Sequence, residues 1–314
     1  MALPEEVNAL SKSFSGFGVD EKTIITILGK WQPEEWKSFR KGCPFVFTED
    51  DRLFEKWNDE HIDLLEREFS RFKNAVMLWT MHPWERDARL AKEALIKQNR
   101  SYNVLIEIAC TRSSEELLGA RKAYHSVYDH SIEEDVASHI QDSNRNLFVA
   151  LVSAYRYEGP KVNDEITKSE AKILSNAFKN ADKKNPVEDE EVVRILSTRS
   201  KPHLQAIYKH YKEICKQTLD EDLEDGSSLK AVVMCLCSPL AYFSKVLNDA
   251  LKSGVDEKTK VALTRVVVTR AESDMKEIKE EYNKEHGVFL SQKIKETTQG
   301  NYKDFLLTLI ERGA

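Results

Sequence analysis

Proline and glycine are scarce in this chain, with 8 prolines and 11 glycines among 314 residues. A sheet protein of that length needs more turn-forming residues, so the scarcity favours helices. Long apolar runs are missing too. The longest, Ala231 to Phe243, is short and interrupted by Pro239, which excludes a membrane-crossing helix there. The opening Met-Ala-Leu-Pro-Glu-Glu has no basic start and no apolar stretch, so no signal peptide is expected. Positive charge is not in surplus: the formal net charge is −6. A nucleic-acid binder usually carries the opposite sign, so no nucleic-acid partner is expected. The same sign disfavours direct attraction to an anionic membrane, and a bridging divalent cation would solve that problem. Catalytic and metal signatures are lacking. There is no HExxH, no GxxxxGK[ST] and no DxDxDG loop. The 8 histidines are scattered; His125, His130 and His139 share one region without completing a metal motif. The 5 cysteines (Cys43, Cys110, Cys215, Cys235 and Cys237) are odd in number and sit mostly in apolar helical text, as buried reduced thiols of a cytosolic protein do. Cys235-Leu-Cys237 is not a CxxC motif.

What is present is a chain with 41% hydrophobic and 32% charged residues, long enough to bury a sizeable core. It is built from internal repeats. An apolar helix ending in Thr-Arg, a polar turn and a new helix recur around Arg112, Arg199 and Arg270, with Trp31 in the Arg position of a degenerate first copy. The steps are 81, 87 and 71 residues. A second phrase, a polar loop before a strongly apolar helix, begins at Phe72, Asn144, Leu229 and Tyr302, with steps of 72, 85 and 73. Two markers in near-parallel register predict an all-α protein of four helical units: residues 1–84, 85–157, 165–245 and 246–314. The larger middle step locates a connector, Tyr157 to Asp164, whose Gly-Pro pair suits a linker. The repeated arginines are expected to cap helix C-terminal carbonyls.

The first unit carries the loop with the most chemistry, Phe14-Ser-Gly16-Phe17-Gly18-Val19-Asp20-Glu21, followed by an apolar amphipathic run. Two glycines flanking one residue let the backbone fold tightly and turn carbonyl oxygens inward. Asp20 is the expected N-cap of the next helix. Alone, the pattern reads as a tight loop before a capped helix. The sharper hypothesis is a Ca²⁺ site on a convex, membrane-facing surface.

The whole chain resembles a plant annexin, most closely the divergent fourth type of that family. The resemblance is carried by Gly16-Phe-Gly-Val-Asp-Glu21, by the string Val76-Met-Leu-Trp79-Thr-Met-His-Pro83-Trp-Glu85-Arg86-Asp87-Ala88, and by Ala109-Cys-Thr-Arg112. It is carried further by Val152-Ser-Ala-Tyr155-Arg-Tyr-Glu-Gly159, Arg194-Ile-Leu-Ser-Thr-Arg-Ser200, and Ala262-Leu-Thr-Arg265 through Thr269-Arg270. The resemblance implies four annexin-type repeats of five helices each in a slightly curved disc that docks reversibly on anionic phospholipid through Ca²⁺. It implies carbonyl ligands from Phe14, Gly16 and Gly18. An acid at a second helix–loop junction supplies a bidentate carboxylate, as Ca²⁺ requires. That acid is Glu68, with Glu66 as the neighbouring alternative. Glu68 lies 52 residues beyond Gly16, longer than the family spacing, which fits an insertion around Pro44 to Asp51; the loop before Phe72 is one residue short. Phe17, at the loop tip, is the expected membrane contact, with local packing as the ordinary alternative.

The other units depart from the pattern. The second has Lys97-Gln-Asn-Arg at the loop and His139 at the acid position; the third has Lys179-Asn-Ala-Asp without glycines, with Glu224 at the acid position. No site is expected in either. The fourth, with Gly254 alone and Thr297 at the acid position, allows a weaker, rebuilt site from Ser253, Val255 and Glu296. Partners implied are anionic membranes and other annexins, in a cytoplasmic protein that turns peripheral on membranes when Ca²⁺ rises. The competing readings are a helical-repeat scaffold that binds proteins but no lipid, and an enzyme. Lys30 stands where a proposed peroxidase histidine of the family would be, and no catalytic residue is expected. Cys110, Cys235 and Cys237 match a thiol region of the family, with redox sensitivity set against simple burial.

Overall fold

The computed structural model describes residues 4–13, 17–28, 31–44, 46–49, 55–96, 102–180 and 185–312. Eighteen helices fill most of them, as the scarcity of turn residues predicts. In chain order these are α1 (Pro4–Ser13), α2 (Glu21–Leu28), α3 (Pro33–Gly42), then a short antiparallel ribbon β1 (Phe47–Glu49) and β2 (Glu55–Trp57), and α4 (Asp59–Thr80). Next come α5 (Pro83–Ile96), α6 (Asn103–Thr111), α7 (Ser114–Tyr128), α8 (Ile132–His139), α9 (Arg145–Val152) and α10 (Asp164–Lys179). After a 3₁₀ turn at Pro186–Glu188 follow α11 (Glu190–Thr198), α12 (Lys201–Cys215), α13 (Ser228–Cys237) and α14 (Pro239–Ala250). The last are α15 (Glu257–Arg270), α16 (Met275–His286), α17 (Leu290–Thr297) and α18 (Gly300–Glu311). The ribbon, paired Phe47 to Trp57, falls at the insertion that the long Gly16–Glu68 spacing implied.

Contacts divide the chain into two compact units, residues 1–80 with 243–314, and residues 81–242. Within the second, α5 packs on α7, α10 on α12, and α6 on α13. Local signals start these helices. Ser113 with Glu116 and Ser131 with Glu134 form capping boxes at α7 and α8, each satisfying two otherwise free backbone donors. Proline begins both α5 and α14, where its missing N–H costs nothing. These two helices run across the expected unit limits at 84/85 and 245/246. The core is aliphatic and aromatic: Ile106, Tyr124, Val136, Phe148, Leu174, Ile195, Tyr211 and Val232 are essentially fully buried.

In the first unit, α4, α15 and α18 pack on one another, and α1 and α2 pack together. Leu10, Val19, Ile24, Ile27, Trp31, Phe39, Val46, Phe47 and Leu65 form one buried cluster. Trp31 stands in the repeated arginine's position and donates its indole N–H to Glu6 at 3.0 Å. Among the described residues, the paired bonds of these arginines go to carboxylates rather than to the helix carbonyls of the sequence expectation. Arg112 forks onto Asp87 of α5 at 2.6 and 2.9 Å. Arg199 forks onto Glu170 of α10, and Arg270 onto Asp274. A planar guanidinium gains more from two parallel bonds to a carboxylate than from neutral carbonyls.

One departure bears directly on the candidate site. The acid of the first unit was expected at a helix–loop junction. Instead α4 runs unbroken for 22 residues, and Glu68 lies in its interior. The corresponding segments elsewhere are divided, between α8 and α9 and between α17 and α18. The residue missing before Phe72 leaves no slack for a loop. No proline or glycine interrupts 59–80, and Glu68 and Arg71 staple the run as an i,i+3 pair.

Candidate functional site

The site begins where the chain leaves the first loop. Phe14 and Gly16, two of the expected carbonyl ligands, lie outside the described residues. Beyond them Asp20 caps α2 as expected: its carboxylate accepts from Thr23 N–H at 3.1 Å and from Thr23 Oγ1 at 2.6 Å. Thr23's hydroxyl, the largest influence, holds the Asp20 carboxyl below its ordinary range. Gly18 adopts φ +103°, a backbone conformation for which glycine is the natural residue.

Gly18 is brought to the predicted acid: its N–H donates to Glu68 Oε2 at 2.6 Å. The Glu68 carboxylate is only 2% exposed. Glu66, the alternative, faces solvent. A buried carboxylate must be paired or become neutral, and Arg71 supplies the pairing. Its Nε and Nη2 donate to Glu68 Oε2 and Oε1 at 2.8 and 3.0 Å. The same Nη2 also bonds Glu257 in the first turn of α15. Glu257 in turn holds Lys260 at 3.0 Å. Burial lowers the Arg71 pKa, but bonding to Glu68 and the charges of both carboxylates outweigh it and raise the pKa overall.

The loop backbone is held from the turn between α17 and α18. Gln299 N–H donates to the Phe17 carbonyl at 3.0 Å, and Gln299 Nε2 donates to the Gly18 carbonyl at 3.0 Å. Phe17 bridges Thr298 in parallel fashion. This pairing overturns the expected membrane contact. Phe17 is 7% exposed, edge-on to Tyr302 at 5.8 Å and beneath the Arg71 guanidinium at 4.5 Å. Pinned to the 298–299 turn, the loop turns its aromatic ring inward to the α4–α18 packing, the ordinary alternative weighed above.

The sequence missed Arg71, Glu257 and Gln299. Arg71 had a legible signal, since an acid followed three residues later by an arginine pairs on a helix. Glu257 and Gln299 are 189 and 231 residues from Glu68, and nothing local points to them.

The weaker fourth candidate is not assembled in the same way. Ser253 is exposed beside Gly254, which has φ +75°, and Val255 is half-buried. Glu296 is exposed and accepts from Gln292 at 3.0 Å. Among the described residues no hydrogen bond joins Glu296 to the 253–255 turn. In the second unit His139 is exposed, its Nδ1 2.8 Å from the Asp135 carbonyl; Glu224 in the third is exposed as well. Residues 97–101 and 181–184, the loop sequences of those two repeats, lie outside the described residues, as does Lys30. Among the described residues no three His, Cys, Asp or Glu side chains cluster as a metal site, and no helix is long and apolar enough to cross a membrane. Cys110 and Cys235 are buried. Burial pushes the Cys110 and Cys237 thiols up to about 12, which suppresses the reactive thiolate.

The donors at the first site suit a hard cation. Glu68 offers two carboxylate oxygens and Gly18 a carbonyl, the oxygen types that Ca²⁺ prefers. The structure already places positive charge there in the form of Arg71.

The family model for annexins matches residues 86–151, 170–233 and 242–309. The chain is 52% identical to Annexin D4 of Arabidopsis thaliana over 318 residues, covering 99% of each. It is 44% identical to Annexin-like protein RJ4 of Fragaria ananassa over 314 residues, covering 98% of this chain and 95% of that one. The solved structure of chicken annexin V is similar with a TM-score of 0.70 at 26% identity, over 98% of this chain and 94% of that one. The calcium-bound structure of annexin (Sm)1 shares the fold with a TM-score of 0.65 at 22% identity, over 98% and 89%. This chain therefore belongs to the annexin family, whose proteins generally bind phospholipid in a calcium-dependent way and are not enzymes.

Proposed function

We propose that this protein docks reversibly on anionic membranes through Ca²⁺ held by the first loop and Glu68. The observation that carries the reading is the 2.6 Å bond from Gly18 N–H to Glu68, which joins the two segments that the family resemblance pairs. In this reading Glu68 supplies the bidentate carboxylate, and the carbonyls of Phe14, Gly16 and Gly18 supply neutral oxygens. The α4 helix fixes where the acid stands, and Gln299 orients the Gly18 carbonyl. Bound Ca²⁺ supplies the positive charge that lets a lipid phosphate approach a chain of net charge −6. Ser253, Val255 and Glu296 form a second, weaker site. The protein is cytoplasmic and peripheral, other annexins are its candidate protein partners, and no residue is assigned a catalytic role.

Sedimentation with phosphatidylserine vesicles tests this. The protein pellets with Ca²⁺ and returns to the supernatant with chelator. Glu68→Gln weakens pelleting more than Glu221→Gln, a substitution at an exposed cap that binds Thr218 N–H. Equal losses in the two variants, or none, remove Glu68 from the site. A protein-binding scaffold stays in the supernatant throughout.

A further inference from the structure

Four charged side chains meet beneath the first loop: Glu68 and Arg71 of α4, and Glu257 and Lys260 of α15. Two carboxylates and two cations leave the group neutral. Arg71 is at its centre, 6% exposed, and one of its nitrogens reaches both carboxylates. Its two bonds to Glu68 satisfy both oxygens of the acid that the proposed Ca²⁺ site needs. Glu68 has about four acceptor positions; Arg71 takes two and Gly18 N–H a third, so an ion bound by both oxygens cannot coexist with the intact fork.

We infer that Arg71 is a resident cation occupying the place of a divalent ion at Glu68, and that Glu257 is the partner onto which it retreats when the ion binds. The inference rests on the first-loop reading above and gives the site its regulation. Binding is then an exchange of one cation for another. Arg71 gives up two bonds to Glu68 and keeps its bond to Glu257, so it is never left buried and unpaired, which would be costly. Lys260 holds the other oxygen of Glu257, Oε1, and so keeps that carboxylate in place to receive Arg71 on Oε2. The first loop also answers to the last quarter of the chain: α15 carries the receiving carboxylate, and the α17–α18 turn grips the Gly18 carbonyl through Gln299. Without Ca²⁺ Gly18 stays joined to Glu68, since Arg71 performs the ion's neutralising task on that carboxylate.

The test uses calcium titration calorimetry on the full chain, with melting in chelator as a second readout. Glu68→Gln removes one equivalent of bound ion and serves as the reference. Arg71→Gln removes the competitor and tightens that equivalent by about tenfold or more, since hydrogen bonds between charged groups are among the stronger kind. It also lowers the melting temperature in chelator, and Ca²⁺ restores it. Glu257→Gln strands Arg71 on Glu68 and weakens the same equivalent by a comparable factor. Arg71→Lys, which keeps the charge but loses the fork, tightens it by less and covers the case in which the glutamine variant folds poorly. If Glu68→Gln removes an equivalent while Arg71→Gln and Arg71→Lys leave its affinity unchanged or weaker, the resident-cation role is overturned and the first-loop site stands. If Glu257→Gln binds as the unsubstituted chain does, the retreat onto Glu257 is overturned. If Glu68→Gln removes no ion, both readings fall together.

Discussion

Gly18→Ala isolates the contribution of the loop geometry. Gly18 has φ +103°, and a Cβ there would stand 2.7 Å from the Gln299 carbonyl oxygen. A side chain held in so sparsely populated a conformation costs about 1–3 kcal/mol. The contact adds to this, because the neighbour is backbone and cannot rotate aside. Shifting the 298–300 turn sacrifices Gln299 N–H to Phe17 and Gln299 Nε2 to Gly18, each worth about 1 kcal/mol. The sum is about 3–5 kcal/mol, or a fall in Tm of roughly 6–20 °C for a unit of this size. Gly42→Ala is the control. It sits in the same unit at the end of α3, without positive φ, and its Cβ would meet nothing within 4 Å. Alanine there gains between zero and about 1 kcal/mol. Both variants are melted in chelator, so that no bound ion enters the comparison. A Gly18→Ala transition within about 2 °C of Gly42→Ala would refute the reasoning, because the loop would then be free to relax away from Gln299.

Two further outcomes concern the other unit. Asp87→Asn leaves the buried Arg112 guanidinium without its carboxylate and costs about 3–5 kcal/mol, read from urea unfolding followed by circular dichroism; a loss below about 1 kcal/mol would mark the pair as dispensable. For Glu170, burial raises the pKa, but hydrogen bonds from Arg199, Arg194 and His203 outweigh it and hold the group below its ordinary 4.5. The folded state therefore binds this proton less readily than the unfolded one. The stabilisation is complete above pH 4.5 and is lost as pH falls from there through the folded pKa. Chemical unfolding at stepped pH should show the gap between the unsubstituted chain and Glu170→Gln narrowing on acidification, and a gap independent of pH would exclude Glu170 as its source.

Much of the architecture was legible because it is local or periodic. The repeated Thr-Arg phrase marks helix ends at Arg112, Arg199 and Arg270, and Ser113 and Ser131 announce their helices through Glu116 and Glu134. The pairing of Gly18 with Glu68 came from the family resemblance rather than from composition or spacing, since the separation of the two is longer than the family pattern. Phe17 was misplaced for a physical reason. An aromatic between two glycines looks like an exposed tip, and only the distant 298–299 turn shows that Phe17 is covered. The unbroken α4 was hidden as well. A one-residue deficit can shorten a loop or abolish it, and the choice depends on Arg71 finding Glu68 on the same helix face. Glu257 is a further case, since its charge looks like an ordinary first-turn acid of α15 until the fold sets it beside α4.

The continuity of α4 makes phase along the helix part of the electrostatics. Each residue advances the helix by about 100°, so one added or removed residue upstream of Glu68 within α4 would swing the carboxylate away from Gly18 and from the α15 acid together. A loop could absorb such a change; a hydrogen-bonded helix transmits it over its whole length. An insertion or deletion between Asp59 and Glu68 is therefore expected to abolish the site, and that spacing is as much a requirement as the acid itself.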